Sequence, residues 1–372
     1  MPVQLRLAIS LILLSLAIPA VCASVSTPNL FLVDGQAVKK PSPTPTPPPS
    51  GPNPGNPGGP SKTNVTTGPP AASSATGEKQ MLIQREAAVE AGSNKIAEAE
   101  LIRRTYTAGN EALGAAILAG QGGNSDSAVE KYTAAIAQYD QGLAVDAEHP
   151  ALLANKAFAL KGRGIERFNA VIRSKTLAEA GGNAAMQPAK DDFKAAAEAI
   201  NKAVTLFKAQ PVPTEPSELQ LYNANKYVVL RIRAETLRLF VTKVDPTQVE
   251  AGVAAFKEYL AVETESAQKA KGQLELAQML LDAGAADKAL LEFQAILATQ
   301  PESAEANLGA GLALYKSGDK SKFQEAANYL QRFVDLAPDS QPFKTDAKEI
   351  LGELKNTENV TPQKAKPASK RP

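Results

Sequence analysis

The sequence has no tryptophan, a single histidine and a single cysteine, and neither sign of charge is in excess. One His and one Cys cannot assemble a zinc site of the usual His/Cys type, so no metal is predicted. The 40 Lys and Arg residues balance 39 Asp and Glu residues, which leaves no field of one sign to attract nucleic acid or an anionic membrane. The composition therefore argues against a nucleic-acid partner and against a zinc centre.

Few residues could carry catalysis. His149 lies between Glu148 and Pro150 at a predicted helix boundary, a poor place for the buried base that a Ser–His or Cys–His nucleophile needs. We interpret it as structural or solvated. The glycine-rich stretches 120–123 and 162–164 follow no predicted strand, so neither completes a phosphate-binding fingerprint, and both are predicted to be turns.

Two pairs of acidic residues, Glu98 with Glu100 and Asp191 with Asp192, are the candidates for acid–base chemistry. Both pairs lie on the faces or ends of predicted helices, where solvation and the helix dipole explain them. A glycosidase built on such carboxylates would also need a cleft with aromatic platforms, and Trp is absent. The sequence therefore predicts a protein that is not an enzyme, with no catalytic residue and no cofactor.

The N-terminus has the features of a secretory signal over residues 1–23. Arg6 precedes an apolar run from Leu7 to Ala20, which is short for a membrane span. Cleavage after Ala23 would remove Cys22, and we expect export to the periplasm or beyond. Two alternatives remain, lipidation of Cys22 or an uncleaved anchor, and only these would give the protein a contact with a membrane.

Proline and glycine dominate much of residues 24–77, and above all the stretch from Pro41 to Pro70. Proline removes backbone donors and glycine adds conformational entropy, so this segment is predicted to be a disordered linker. Residues 357–372, with basic side chains among Pro and Ser, are predicted to be a disordered basic tail.

Helical periodicity dominates residues 80–355 and no stretch alternates as a strand would, so the fold class is all-α. The C-terminal half also aligns with itself at a shift of 34 residues. This shift pairs Ala277 with Gly311, another small residue, and Gly284 with Gly318. A shift of this length indicates tandem helix pairs. The clearest copy consists of Leu276, Ala277, Leu280, Gly284, Ala289, Phe293, Ile296, Leu297 and Pro301.

These residues resemble the tetratricopeptide repeat family, and the chain as a whole resembles an exported bacterial protein of that type. The next copy consists of Ala310, Gly311, Leu314, Gly318, Asp319, Ala326, Leu330, Phe333, Val334 and Pro338, with about three residues inserted after Gly318. The resemblance implies a solenoid over residues 78–356 with about four to five repeats.

Several boundaries follow from this reading of the repeats. An insertion, part helix and part loop, is predicted near 163–187, and the helix that follows it is predicted from Phe193 to Phe207. A helix over Glu78 to Leu101 is predicted to close one end of the solenoid, and a capping helix over 341–355 is predicted to close the other.

In this family the first helix of each pair lines a concave groove that holds a peptide or helix of a protein partner. Chaperone-binding members clamp a terminal carboxylate with Lys and Asn, but this chain has Leu, Gln and Ala at most of those positions. Ordinary packing between repeats would explain the same apolar stripe equally well. The candidate groove residues are Phe158, Lys161, Leu274, Gln278, Leu281, Leu308, Leu312 and Tyr315.

The leading hypothesis is a scaffold of the cell envelope that binds another protein, whose identity the sequence does not give. Two other functions stay open. The protein could be structural or wall-associated and act through its linker and tail, or it could be an enzyme with a site in the 163–187 insertion.

Overall fold

The computed structural model describes residues 74–174 and 182–363, and all regular structure in these ranges is helical. The predicted all-α class is confirmed. The described residues belong to two compact units, one formed by the stretch 74–101 and the other by the residues from Ile102 onward. The signal, Cys22, nearly all of the linker, residues 175–181 of the predicted insertion and the end of the tail lie outside the described ranges.

Eleven α-helices and two short 3₁₀ helices, Pro246–Gln248 and Lys320–Lys322, make up the described structure. Within it, no helix combines the length and apolar character that crossing a membrane requires. In chain order the α-helices are α1 (Ser74–Gln121), α2 (Ser125–Val145), α3 (Pro150–Arg173), α4 (Gly182–Ala209), α5 (Pro216–Lys243), α6 (Val249–Val262), α7 (Ser266–Asp282), α8 (Ala286–Thr299), α9 (Ala304–Lys316), α10 (Phe323–Leu336) and α11 (Phe343–Glu358).

Local signals in the sequence set several of these boundaries. The side chain of Asn124 accepts the Ser127 N–H at the start of α2, and Nδ1 of His149 accepts the Leu152 N–H at 3.3 Å at the start of α3. Burial lowers the pKa of His149 and outweighs the nearby Asp146 charge, which favours the neutral imidazole that this cap needs. His149 is therefore a helix cap, in agreement with its predicted structural role.

Glycines end the first helices of the two clearest copies. Gly284 follows α7 with φ +81° and Gly318 follows α9 with φ +69°, a left-handed backbone that glycine adopts without strain. The insertion of three residues predicted after Gly318 is present as the 3₁₀ turn Lys320–Lys322. Pro301 and Pro338 lie just beyond the ends of α8 and α10, where proline cannot disturb a helix.

Helices that are adjacent in sequence pack against each other from α2 through α11. A second set of contacts skips one helix, because α3 packs on α5, α5 on α7 and α7 on α9. We call α3, α5, α7 and α9 the odd-helix layer. The helices between them in sequence, α4, α6 and α8, pack on both of their sequence neighbours.

Small residues occupy the crossings between paired helices. Ala289 and Ala326, which the repeat register places at these crossings, are both fully buried. Residues 162–164 are not a turn, contrary to the prediction, because they lie within α3. A Cβ at Gly162 would meet the Tyr132 ring and one at Gly164 the Phe193 ring, so close packing explains both glycines. The turn predicted over 120–123 is present where α1 ends, with Gly123 at φ +77°.

The predicted insertion is more helical than expected. Helix α3 continues to Arg173, and α4 begins at Gly182, well before the predicted start at Phe193. The extra turns form a second hydrophobic cluster, separate from the main core, which stabilises them. Its buried members are Phe168, Met186, Ala189, Phe193 and Leu239.

Both predicted end segments also differ from the structure. Helix α1 does not stop near Leu101 but continues to Gln121. The capping helix is present as α11, yet the first residues of the predicted disordered tail are ordered. Asn359 adopts a left-handed backbone, and the chain then returns along α10, where Asn328 Oδ1 accepts the Gln363 N–H at 2.7 Å.

Replacing Gly309 by alanine is expected to lower the free energy of unfolding by roughly 1–3 kcal/mol. A Cβ at this position in α9 would lie 2.2 Å from Cζ of Phe293, whose ring is fully buried. The control is Gly352→Ala in α11, where nothing lies within 4 Å of the added atom. That change should raise stability by up to about 1 kcal/mol, because alanine favours the helix. Urea denaturation of both variants measures their free energies of unfolding. Changes of the same sign would contradict the close packing of Gly309 against Phe293.

Candidate functional site

Charged and polar side chains form one stripe along each of two helices of the odd-helix layer. In α7 these are Lys271, Glu275, Gln278 and Asp282, whose spacing of three or four residues places them on one helix face. In α5 the corresponding positions are Arg231, Glu235 and Arg238. We call the surface that carries these stripes, together with Phe158 and Lys161 of α3 and the end of α9, the odd-helix face.

Glu235 links α3 to α5 on this face. It forms an ion pair with Lys161 of α3, and its other oxygen lies 3.3 Å from Nε of Arg231. Burial alone would raise the pKa of Glu235, but the two cations outweigh it and hold the pKa at about 2. Lys161 also lies over the Phe158 ring, 4.5 Å from its centroid. At this end of the face the charge of Glu235 is therefore neutralised by Lys161 and Arg231.

Glu275 and Asp282 of α7 lie in different surroundings. Burial raises the pKa of both carboxyl groups, against the opposing charges of Lys271 and Arg238 near Glu275 and of Lys243 and Lys316 near Asp282. The Glu275 side chain is nevertheless 23% exposed. A carboxyl group that is partly exposed and still has a pKa raised by burial lies in a recessed part of the surface.

Two lysines flank Asp282. Burial lowers the pKa of Lys243 to about 8, and it also lowers the pKa of Lys316. Lys243, at the end of α5, lies 5.4 Å from the centroid of the Phe168 ring of α3. Burial therefore opposes the charged form of both lysines, and the Asp282 carboxylate counters this effect.

Tyr315 continues the face toward the C-terminus. Its ring centroid lies 6.0 Å from that of Phe323, and Glu353 of α11 lies near its hydroxyl. Burial, reinforced by Glu353, raises the pKa of Tyr315 to about 12. The phenol thus stays protonated and fixed at the junction of α9 and α11.

The eight residues predicted to line a groove separate into three sets by burial. Leu281, Leu308 and Leu312 are buried in the main core, and ordinary packing between helices accounts for them. Their burial favours the packing between repeats that the sequence left open as the alternative to a groove. Leu274 is half-buried against the same core. The remaining four lie on or beside the odd-helix face: Phe158, Lys161, Gln278 and Tyr315.

Sequence reasoning missed most of the charged residues of this face. A search for apolar stripes passes over Arg231, Glu235 and Glu275. The signal that could have revealed them is a polar stripe at positions i, i+4 and i+7, which occurs in both α5 and α7. Such a stripe on a helix that is otherwise buried marks the accessible side of that helix.

A second polar cluster links α3 to α4 and joins Arg163 and Arg167 of the predicted insertion to Asp192, which follows it. Asp192 is 3% exposed and accepts hydrogen bonds from Arg163 Nη2 at 2.6 Å and from Arg167 Nη1 at 2.8 Å. The prediction that Asp191 and Asp192 are both solvated is therefore wrong for Asp192, because two arginines compensate its burial. Asp191 is exposed.

Two other polar residues of the insertion, Arg173 and Glu166, bind Ser125 of α2. Arg173 donates to Ser125 Oγ at 2.6 Å, and Ser125 donates to Glu166 at 2.5 Å. These bonds attach the extension of α3 to the start of α2. Across the described ranges, no group of three or more His, Cys, Asp and Glu side chains could hold a metal ion.

Comparisons with protein-family models, with curated proteins and with solved structures give no match for this chain. Its own geometry defines the class: an all-helical protein whose helices pack in tandem neighbouring pairs.

Proposed function

We propose that the protein is a non-enzymatic scaffold of the tetratricopeptide kind that binds another protein on its odd-helix face. The observation that carries this proposal is the contact between alternate helices, α3 with α5, α5 with α7 and α7 with α9. In a solenoid of helix pairs the first helices form one layer in this way, and each later pair covers the apolar side of the one before. The pairs are then α3–α4, α5–α6, α7–α8 and α9–α10, with α11 as the cap.

The character of the odd-helix face supports a binding role. Glu275, Asp282 and Lys243 of this face are half-buried, and burial shifts the pKa of each of them, whereas exposed charges on the surface of a helix would be solvated freely. Buried apolar side chains beneath them, such as Leu281 and Leu312, keep the layer rigid. A rigid layer that presents recessed charges favours recognition of a segment with defined polar groups.

We further propose that the scaffold acts in the cell envelope. This rests on the apolar run from Leu7 to Ala20 and on the proline-rich stretch that separates it from the helices. The partner would then be another exported protein.

Site-specific photo-crosslinking in the native host tests the binding proposal. A photoreactive residue in place of Gln278, on the odd-helix face, is expected to give discrete adducts of higher mass. The matched control carries the same residue in place of Leu291 in α8, which is 67% exposed and faces away from the core. Adducts formed equally at both positions, or at neither, would contradict the proposal.

A further inference from the structure

Two amide side chains of α10 bind the main chain of the segment that follows α11. Gln324 Nε2 donates to the carbonyl oxygen of Thr361 at 2.8 Å, and Asn328 Oδ1 accepts the Gln363 N–H at 2.7 Å. Gln324 Nε2 also donates to Asn328 Oδ1 at 3.2 Å. A glutamine and the acceptor four residues after it therefore form one unit, which binds a carbonyl group and, two residues later, an N–H group of the segment.

The same pair of side-chain types occurs again further along α10. Gln331 Nε2 donates to Asp335 Oδ1 at 2.8 Å, as Gln324 does to Asn328. Seven residues separate the two units, which is close to two helical turns, so both units lie on one side of α10. Gln331 is half-buried and Asp335 is exposed. We call Gln324, Asn328, Gln331 and Asp335 the α10 row.

The spacing of the two units matches that of an extended chain. Seven residues of an α-helix rise about 10.5 Å, and three residues of a polyproline II or β chain rise about 9–10 Å. Polyproline II also repeats its orientation every three residues. A chain that continues beyond Thr361 in this direction therefore brings the carbonyl group of Lys364 and the N–H group of Lys366 to the second unit.

The sequence around this segment suits such a path. Thr361 and Lys366 each precede a proline, and a residue in that position favours an extended backbone over a helix. Val360 is half-buried against the main core and fixes the start of the segment. Residues 364–372 contain four basic residues and no acidic one, so their charge is complementary to that of Asp335.

We propose that the α10 row binds the chain's own C-terminal segment as far as Lys366. Gln331 then donates to the carbonyl group of Lys364, and Asp335 accepts the Lys366 N–H in a bond that its negative charge strengthens. Continuity selects this occupant, because the described structure ends at Gln363, beside the first unit. A segment bound there ties α11 to α10 and closes the C-terminal end of the helical stack. The α10 row lies outside the odd-helix face, so this inference does not depend on the proposed function.

Limited digestion of the purified full chain with trypsin tests the proposal. Trypsin can cut after Lys364 and after Lys370, whereas a following proline protects Lys366 and Arg371. A synthetic peptide of residues 359–372 gives the rate at each bond when nothing is bound to it. We expect cleavage after Lys364 to be at least about ten-fold slower in the full chain than in the peptide, because the bound segment must first be released. Cleavage after Lys370, beyond the α10 row, should differ by less than about two-fold.

A double variant identifies the residues that protect the bond. Gln331→Ala with Asp335→Ala removes the second unit, and cleavage after Lys364 should then approach the rate of the peptide to within about two-fold. The control is Glu302→Ala, which removes the same charge beside α10 but from an ion pair with Arg332, a residue outside the row. Circular dichroism melts verify that both variants fold, and mass spectrometry quantifies each cleavage.

The comparison within the unmodified chain does not depend on any variant. If Lys364 and Lys370 are both cut as fast as in the peptide, the segment is not bound and the proposal is wrong. If Lys364 remains protected in the double variant, the segment binds elsewhere and the assignment to the α10 row is wrong. Equal loss of protection in Glu302→Ala would reduce the effect to nonspecific charge and would also overturn it.

Discussion

Replacing Asp192 by alanine is expected to lower the free energy of unfolding by about 3–5 kcal/mol. The Asp192 carboxylate is 3% exposed and is bound by Arg163 and Arg167. Without it, the Arg163 guanidinium, 14% exposed, loses its partner in a place that water barely reaches. The cost is therefore dominated by an uncompensated buried cation and not by the lost ion pair itself.

The neighbouring residue supplies the control. Asp191 is exposed, and its only described bond accepts from Gln187 one helical turn earlier, so Asp191→Ala should change stability by no more than about 0.5 kcal/mol. Urea denaturation of the two variants at equal salt gives the comparison. Similar stabilities for both variants would show that Asp192 is solvated and that the extension of α3 is held by apolar contacts alone.

Part of the fold could be predicted because its determinants are local. The shift of 34 residues relates α7 and α8 to α9 and α10, and glycines mark the turns after α7 and α9. Helical periodicity, a left-handed glycine and a closing proline each act within one turn of a helix. Where these signals coincide, the predicted boundaries agree with the structure.

The long middle helices could not be predicted in the same way. Helix α5 has 28 residues and α7 has 17, so the shift of 34 residues that relates later repeats fails between α5 and α7. Contacts between distant residues, Phe168 with Phe193 and Leu239, stabilise the extra turns. No window of sequence short enough to show periodicity contains all three of these residues.

The candidate site could be predicted only in part, and the reason is related. Periodicity shows that α9 has two apolar sides, but not whether a neighbouring helix or a ligand covers the second. In the structure the main core covers Leu308 and Leu312. A charged residue, in turn, suggests solvent exposure unless its partner is known. Lys161, which binds Glu235, lies 74 residues away from it, and Arg163, which binds Asp192, lies 29 residues away.

Replacing Leu312 by lysine is expected to lower the free energy of unfolding by about 4 kcal/mol or more. Leu312 is 2% exposed within the core of α9, so the change loses the packing of a buried leucine, at roughly 2–5 kcal/mol, and adds the cost of placing an ammonium group there. Thermal and urea denaturation of the purified variant measure the effect. This expectation holds if Leu312 packs between helices. A leucine that lined an open groove would tolerate the change to lysine.

The control for Leu312→Lys is Gln278→Lys, because Gln278 lies on the odd-helix face of α7 and is only half-buried. Lysine there can extend its charge into water along a flexible stem, so stability should change by less than about 1 kcal/mol. If Leu312→Lys instead melts like the wild type, Leu312 is accessible, and the odd-helix face must be redrawn to include the leucines of α9.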